Sequence, residues 1–168
     1  MNVKQALRAL SFAVAAASLA SVVTPASATT TKTATFLVSL QITSDCAIST
    51  NPLNFGSSGV LAAAINQTTT LSVTCSNTTP YNVGLDAGNA SGSTVAARLL
   101  ANGAATVAFQ MYSDSGRSTV WGNTIGTNTV SGTGSGSAQT LTVYGQVPAQ
   151  ATPTANTYTS TVTASITF

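Results

Sequence analysis

The sequence contains no histidine and no glutamate, and charged residues make up only 5% of its 168 positions. That scarcity removes most catalytic chemistry, because a serine or threonine nucleophile needs a neighbouring base to activate it. The only carboxylates are Asp45, Asp86 and Asp114, and Asp86 and Asp114 read as turn formers. A paired-carboxylate site would require two of these scattered groups to meet in space. We therefore expect no enzymatic activity and no cofactor. The two cysteines, Cys46 and Cys75, are not in a C-x-x-C spacing and have no histidine to join them, which argues against zinc and redox sites. An excess of basic charge is missing too. Beyond residue 28, Lys32, Arg98 and Arg117 balance the three aspartates, so nucleic-acid binding loses its electrostatic footing.

Residues 1–28 have a different character. Lys4 and Arg8 give a positive start, an apolar small-residue run follows from Ala9 to Ala20, and Pro25 precedes Ala26-Ser27-Ala28. This is the layout of a cleaved secretory signal, and the apolar run is shorter than the roughly 20 residues a membrane span needs. Residues 29–168 suit one domain with a real core. In an exported chain an even pair of cysteines is most simply read as one disulfide, Cys46 to Cys75. The neutral surface is built from Thr, Ser, Asn, Gln and Gly, and the abundance of Thr favours strands. Low net charge also removes a protection against self-association.

Period-two alternation recurs along the chain. It places Leu71, Val73 and Cys75 on one face of a strand, Tyr81, Val83 and Leu85 on another, and Val107, Phe109 and Met111 on a third. Leu141, Val143 and Val147 mark a further face, ended by Pro148. Cys46-Ala47-Ile48 and Thr119-Val120-Trp121-Gly122 read as short strands, and Asn102-Gly103 as a hairpin turn. Gly132-Thr133-Gly134-Ser135-Gly136 lacks the Lys-Ser/Thr of a phosphate loop and reads as a hairpin tip. Arg98 and Arg117 are expected at the surface, paired with aspartates. In 158–168, Val162, Ala164, Ile166 and Phe168 alternate with threonine and serine on a strand where the chain stops. No amphipathic helix is convincing, so the expected fold is an antiparallel β-sandwich of immunoglobulin-like layout.

The stretch 33–43 is the most telling. Ala34, Phe36, Val38, Leu40 and Ile42 fall on every second position, with polar residues between them except at Leu37. It precedes the first cysteine, and such a strand must find an edge to pair with, in its own domain or in another molecule.

Seven separated motifs occur in one order: Leu53-Asn54-Phe55-Gly56; Leu71-Ser72-Val73-Thr74-Cys75; Tyr81-Asn82-Val83-Gly84-Leu85-Asp86-Ala87-Gly88; Gln110-Met111-Tyr112-Ser113-Asp114 with Arg117; Val120-Trp121-Gly122; Thr142-Val143-Tyr144-Gly145-Gln146-Val147-Pro148; and the closing run 158–168. In these the chain resembles the spore coat protein U domain, a family that includes the pilins of archaic, Csu-type chaperone–usher pili. The resemblance runs from about Phe36 to the C-terminus. It implies an all-β, incomplete immunoglobulin-like antiparallel β-sandwich of six strands, lacking its last, together with an N-terminal donor strand. A periplasmic chaperone fills the gap first, and the N-terminal extension of the next subunit replaces it.

Carried onto this sequence, the resemblance implies a donor strand over 34–43 with Phe36, Val38, Leu40 and Ile42 entering the neighbour's groove. Leu37 departs from the pattern by being apolar. Cys46 and Cys75 match the family's intradomain disulfide. The expected organisation is a signal over 1–28, a donor-strand extension over 29–45 and a pilin domain over 46–168. The expected function is that of a structural pilin subunit, polymerising by donor-strand complementation for surface adhesion or biofilm formation. Expected partners are identical or related pilin subunits, a periplasmic chaperone and an outer-membrane usher, with export to the periplasm and then the cell surface. The alternatives are a secreted coat protein and a tip adhesin or lectin-like module, the latter using Trp121, Tyr112 and Tyr144 as an aromatic face.

Overall fold

The computed structural model describes residues 25–168. The expected secretory signal, 1–28, lies outside the described residues except for its last four. The chain divides into two units, Met1–Ser39 and Leu40–Phe168. In the first, the described residues 25–39 carry no helix or strand and are exposed. The second holds eight strands among the described residues: β1 (Cys46–Thr50), β2 (Ile65–Cys75), β3 (Pro80–Leu85), β4 (Arg98–Asn102), β5 (Ala105–Tyr112), β6 (Val130–Thr133), β7 (Ala138–Val147) and β8 (Ala164–Thr167).

Every pairing is antiparallel. One sheet has the order β1-β2-β7-β5-β4 and the other β6-β3-β8. This is the expected all-β, immunoglobulin-like sandwich. The strand count is finer than six because β6 and β8, of four residues each, are short pieces flanking β3.

The alternating faces meet in the middle. Leu71, Val73 and Cys75 of β2, Tyr81, Val83 and Leu85 of β3, Val107, Phe109 and Met111 of β5, and Val143 and Val147 of β7 are all buried in one core. Successive residues of a strand point to opposite faces, so a period-two sequence delivers one apolar face to each sheet. Leu53 and Phe55 add a lid from an irregular segment. They pack where β7 offers Gly145, at which a Cβ would lie 2.6 Å from Leu53 Cδ2 and 3.0 Å from Phe55 Cζ. Phe55 also meets Phe109 edge to face, centroids 6.2 Å apart.

Several expectations change. Residues 119–122 form no strand; Val120 makes a single bridge to Tyr112, and Trp121 N–H donates to Met111 O before the chain turns away. The glycine-rich stretch 132–136 is not a hairpin tip: Gly132 and Thr133 end β6, and 134–136 begin the connection to β7, which belongs to the other sheet. It is docked on the turn after β2, with Gly134 N–H donating to Thr79 O and Gly136 N–H to Cys75 O. In 158–168, only Ala164–Thr167 is a strand, and Phe168 is exposed.

Arg98 is the largest correction. It is 0% exposed and makes no surface ion pair. Its guanidinium donates to Leu85 O (2.8 Å), Trp121 O (2.7 Å), Asp86 O (2.9 Å), Val95 O (3.4 Å) and Gln110 Oε1 (2.5 Å). A planar fork with five donors satisfies carbonyls arriving from three directions, which few side chains can do. Burial lowers its pKa to about 10, against the opposing pull of Asp86, so it stays charged at neutral pH.

Candidate functional site: an open edge over the core

β1 and β8 are edge strands of the two sheets and come close to each other on one side of the sandwich. β1 pairs with β2, and β8 with β3; among the described residues neither has a strand on its other flank. The direction of the free backbone groups follows from the register. In an antiparallel ladder, residues alternate between bonding their partner and pointing away from it. Ser76 N–H donates to Asp45 O and Asn51 N–H to Thr70 O, so odd residues of β1 bond toward β2. Cys46, Ile48 and Thr50 therefore direct their N–H and C=O groups outward. Asp86 N–H donates to Thr163 O, in phase with the Gly84–Ser165 and Asn82–Thr167 pairs. Ala164 and Ile166 thus direct theirs outward as well.

The side chains of these outward-bonding residues turn inward. Cys46, Ile48, Ala164 and Ile166 are half-buried and pack on the core. A cavity of about 380 Å³ opens between Thr50–Leu53 on one side and Ser160, Thr161, Val162 and Ala164 on the other. Its floor is the core itself: Leu71, Leu85, Phe109, Met111 and Val143. A second cavity, of about 620 Å³, shares Leu53, Phe55, Leu100 and Ser160 as walls. No residue lining either one is charged. The arrangement is a cleft that gives apolar side chains access to the core and lines up backbone donors and acceptors on its flanks. An added β-strand satisfies both, through main-chain hydrogen bonds and alternate side chains in pockets.

The structure places the expected donor residues as follows. Phe36 and Val38, in the first unit, are 86% and 79% exposed; Leu40 and Ile42, at the start of the second, are 86% and 80% exposed. None of 33–43 is in a strand. The root of this stretch is fixed to the body: Ser76 Oγ accepts from Asp45 N–H (3.1 Å) and donates to Thr43 O (3.2 Å). Cys46 and Cys75 face each other in the β1–β2 register and are bonded, with their Cα atoms 4.1 Å apart. The disulfide staples the edge strand β1 at the end where the stretch departs.

The aromatic residues do not assemble into a face. Trp121 is 1% exposed and its indole N–H donates to Val83 O at 2.8 Å. Tyr112 and Tyr144 are half-buried partners across β5 and β7, and Arg117 lies over the Tyr144 ring at 6.0 Å. Among the carboxylates, Asp114 caps the loop 114–119. Its pKa is lowered, chiefly by the Thr119 N–H, with further hydrogen bonds from Ser118. For Asp86, burial acts to raise the pKa, but the Thr163 and Gly88 N–H groups, the Thr163 hydroxyl and the charge on Arg98 outweigh it and the net direction is down. The sequence pattern points to a surface Arg98 and a turn-forming Asp86, and shows neither the burial of the first nor the bond of the second to Thr163. The signal that was there for Arg98 is its setting, a lone arginine inside Ala96-Ala97-Arg98-Leu99-Leu100.

Residues 32–165 match the model of the Spore Coat Protein U domain, a span that takes in Phe36 to Ile42 as well as the β body. The chain belongs to the spore coat protein U domain family. This spore coat protein U domain is also similar in fold to one chain of the CsuC–CsuE chaperone–tip adhesion subunit pre-assembly complex from the archaic chaperone-usher Csu pili of Acinetobacter baumannii. The TM-score is 0.54 at 23% identity, over 76% of this chain and 40% of that one. At that identity the likeness is one of fold, and the present chain spans less than half of its relative. No curated protein sequence matches the chain.

Proposed function

We propose that this chain is a structural subunit of a chaperone–usher pilus that polymerises by donor-strand complementation. The observation that carries the reading is the open edge: β1 and β8 flank an uncharged cleft floored by Leu71, Leu85, Phe109, Met111 and Val143. The occupant is the stretch 34–43 of a second copy, with Phe36, Val38, Leu40 and Ile42 directed to the floor. Membership of a family whose resemblance includes pilins, and a fold shared with a chain from a chaperone–subunit complex, support the same assignment.

In this reading a periplasmic chaperone covers the cleft until an outer-membrane usher joins the subunits, and the product is an adhesive or biofilm-forming surface fibre. Export follows from the signal over 1–28, with 29–45 as extension and 46–168 as body. Burying four apolar side chains contributes on the order of 6 to 12 kcal/mol before ordering costs, enough for a durable joint. The test is to express the chain, signal included, with and without residues 29–43, alongside a chaperone and an usher, and to look for heat-labile, SDS-resistant ladders. Ladders only in the presence of the segment are expected; ladders that persist without it rule out the donor assignment.

A further inference from the structure

Upstream of β8, residues 158–163 form no strand, yet they are laid out as one. Tyr158, Ser160 and Val162 are half-buried while Thr159, Thr161 and Thr163 are exposed, in phase with Ala164 and Ile166. An extended run with no paired strand needs another source of hydrogen bonds to stay extended. The odd residues find it on the side away from the cleft. Thr159 exchanges two bonds with Ala101 (3.1 and 2.9 Å), Thr161 N–H donates to Asn89 Oδ1 (2.8 Å), and Thr163 N–H donates to Asp86 Oδ1 (2.9 Å).

From the geometry we infer that Asp86 and Asn89 are positioning residues of the acceptor edge: their side-chain oxygens stand in for a neighbouring strand's carbonyls and hold 158–163 extended beside the cleft. The two acceptors serve Thr161 and Thr163, two residues apart, which is the strand period. Asp86 Oδ1 also accepts from Gly88 N–H at 2.8 Å, and this turn brings Asn89 within reach of the run. Gly88, at φ +81°, lies so close beneath it that a Cβ would collide with Ser160 Oγ.

The length of the edge shows what the device achieves. β8 has four residues, about 13 Å at roughly 3.3 Å each, whereas a donor from Phe36 to Ile42 extends over about 23 Å. With 158–163 held in phase, the backbone groups of Ser160 and Val162 join those of Ala164 and Ile166 in facing the cleft, and the edge matches the donor. This inference rests on the donor-strand reading for its purpose but not for its geometry.

The experiment takes the full mature chain and a fluorescent peptide of residues 33–43, and measures the rate of peptide uptake together with hydrogen exchange at the Thr161 and Thr163 amides. Asp86→Ala and Asn89→Ala should each slow uptake by about tenfold, the equivalent of one strong hydrogen bond. Thr163 should lose protection in the first variant and Thr161 in the second. Asp86→Asn keeps an acceptor oxygen and should remain within about twofold of the parent. Parental uptake and protection in folded Asn89→Ala and Asp86→Ala overturn the inference, as does Asp86→Asn behaving like Asp86→Ala. If Asp86→Ala fails to fold, Asn89→Ala, at an exposed residue, decides alone. A parent that takes up no peptide defeats the donor-strand reading instead, and exchange at Thr161 and Thr163 still decides whether the two side chains hold the run.

Discussion

Leu40→Asp tests the proposed joint most sharply. In the proposed complex Leu40 sits near the middle of four apolar residues that enter a cleft floored by Leu71, Leu85, Phe109, Met111 and Val143. Replacing it removes the burial of one leucine, about 2 kcal/mol. It also brings a carboxylate into a cleft whose walls include no cation, at a further cost of several kcal/mol. The sum is about 5 kcal/mol or more, a loss of 10³- to 10⁴-fold in the equilibrium for joining subunits. The control is Gln41→Asp, one residue along and on the opposite face, where the same charge stays in water and costs little. The assay is the SDS-resistant ladder from cells expressing the chain, signal included, with its chaperone and usher. Parent and Gln41→Asp should give ladders, while Leu40→Asp should give a chaperone-bound monomer with its disulfide intact. Polymerisation of Leu40→Asp equal to the parent, or an equal block by Gln41→Asp, refutes the reasoning.

Replacing both Cys46 and Cys75 with serine should lower unfolding stability by roughly 3 to 4 kcal/mol in the chain-entropy picture, read from denaturant midpoints. Arg98→Ala leaves the Leu85, Asp86 and Trp121 carbonyls buried without their donor and should cost about 3 to 5 kcal/mol. Arg98→Lys should restore only a fraction of this, because one ammonium cannot reach acceptors in three directions. Acid should destabilise the fold through Asp86 and Asp114. Both folded pKa values lie below the ordinary 3.8, so their contributions are complete above that pH and are lost as pH falls through the folded values. Melting temperatures should be flat from neutral pH down to about 5 and fall below about 3.8, with a shallower fall when both are changed to Asn; an unchanged slope in that double variant contradicts the assignment.

The fold was legible wherever a strand buries one face and exposes the other. Leu71-Val73-Cys75, Tyr81-Val83-Leu85 and Val107-Phe109-Met111 carry their own orientation in the period of two, because shifting by one residue would reverse every side chain. Val120-Trp121-Gly122 misled because it has strand composition but is used as an anchor: Trp121 fills the core and its indole bonds Val83 O, a contact 38 residues away that no local pattern encodes. Arg98 was illegible for the same reason. A buried arginine is acceptable only where several carbonyls converge, and convergence is a property of the assembled fold.

The candidate site divides along the same line. Phe36, Val38, Leu40 and Ile42 alternate as a strand's buried face does, broken only at Leu37, yet 33–43 forms no strand. Strand periodicity states which face is to be buried, not which edge will bury it. The cleft shows the converse in the run 158–163, which alternates in exposure as a strand does but draws its hydrogen bonds from Ala101, Asn89 and Asp86. One stretch has a strand's pattern and forms no strand, while the other has a strand's exposure pattern with side chains in a partner's place at Thr161 and Thr163. In the proposed joint, the first stretch of one copy pairs beside the second of another, and each gains the ladder that its alternation calls for.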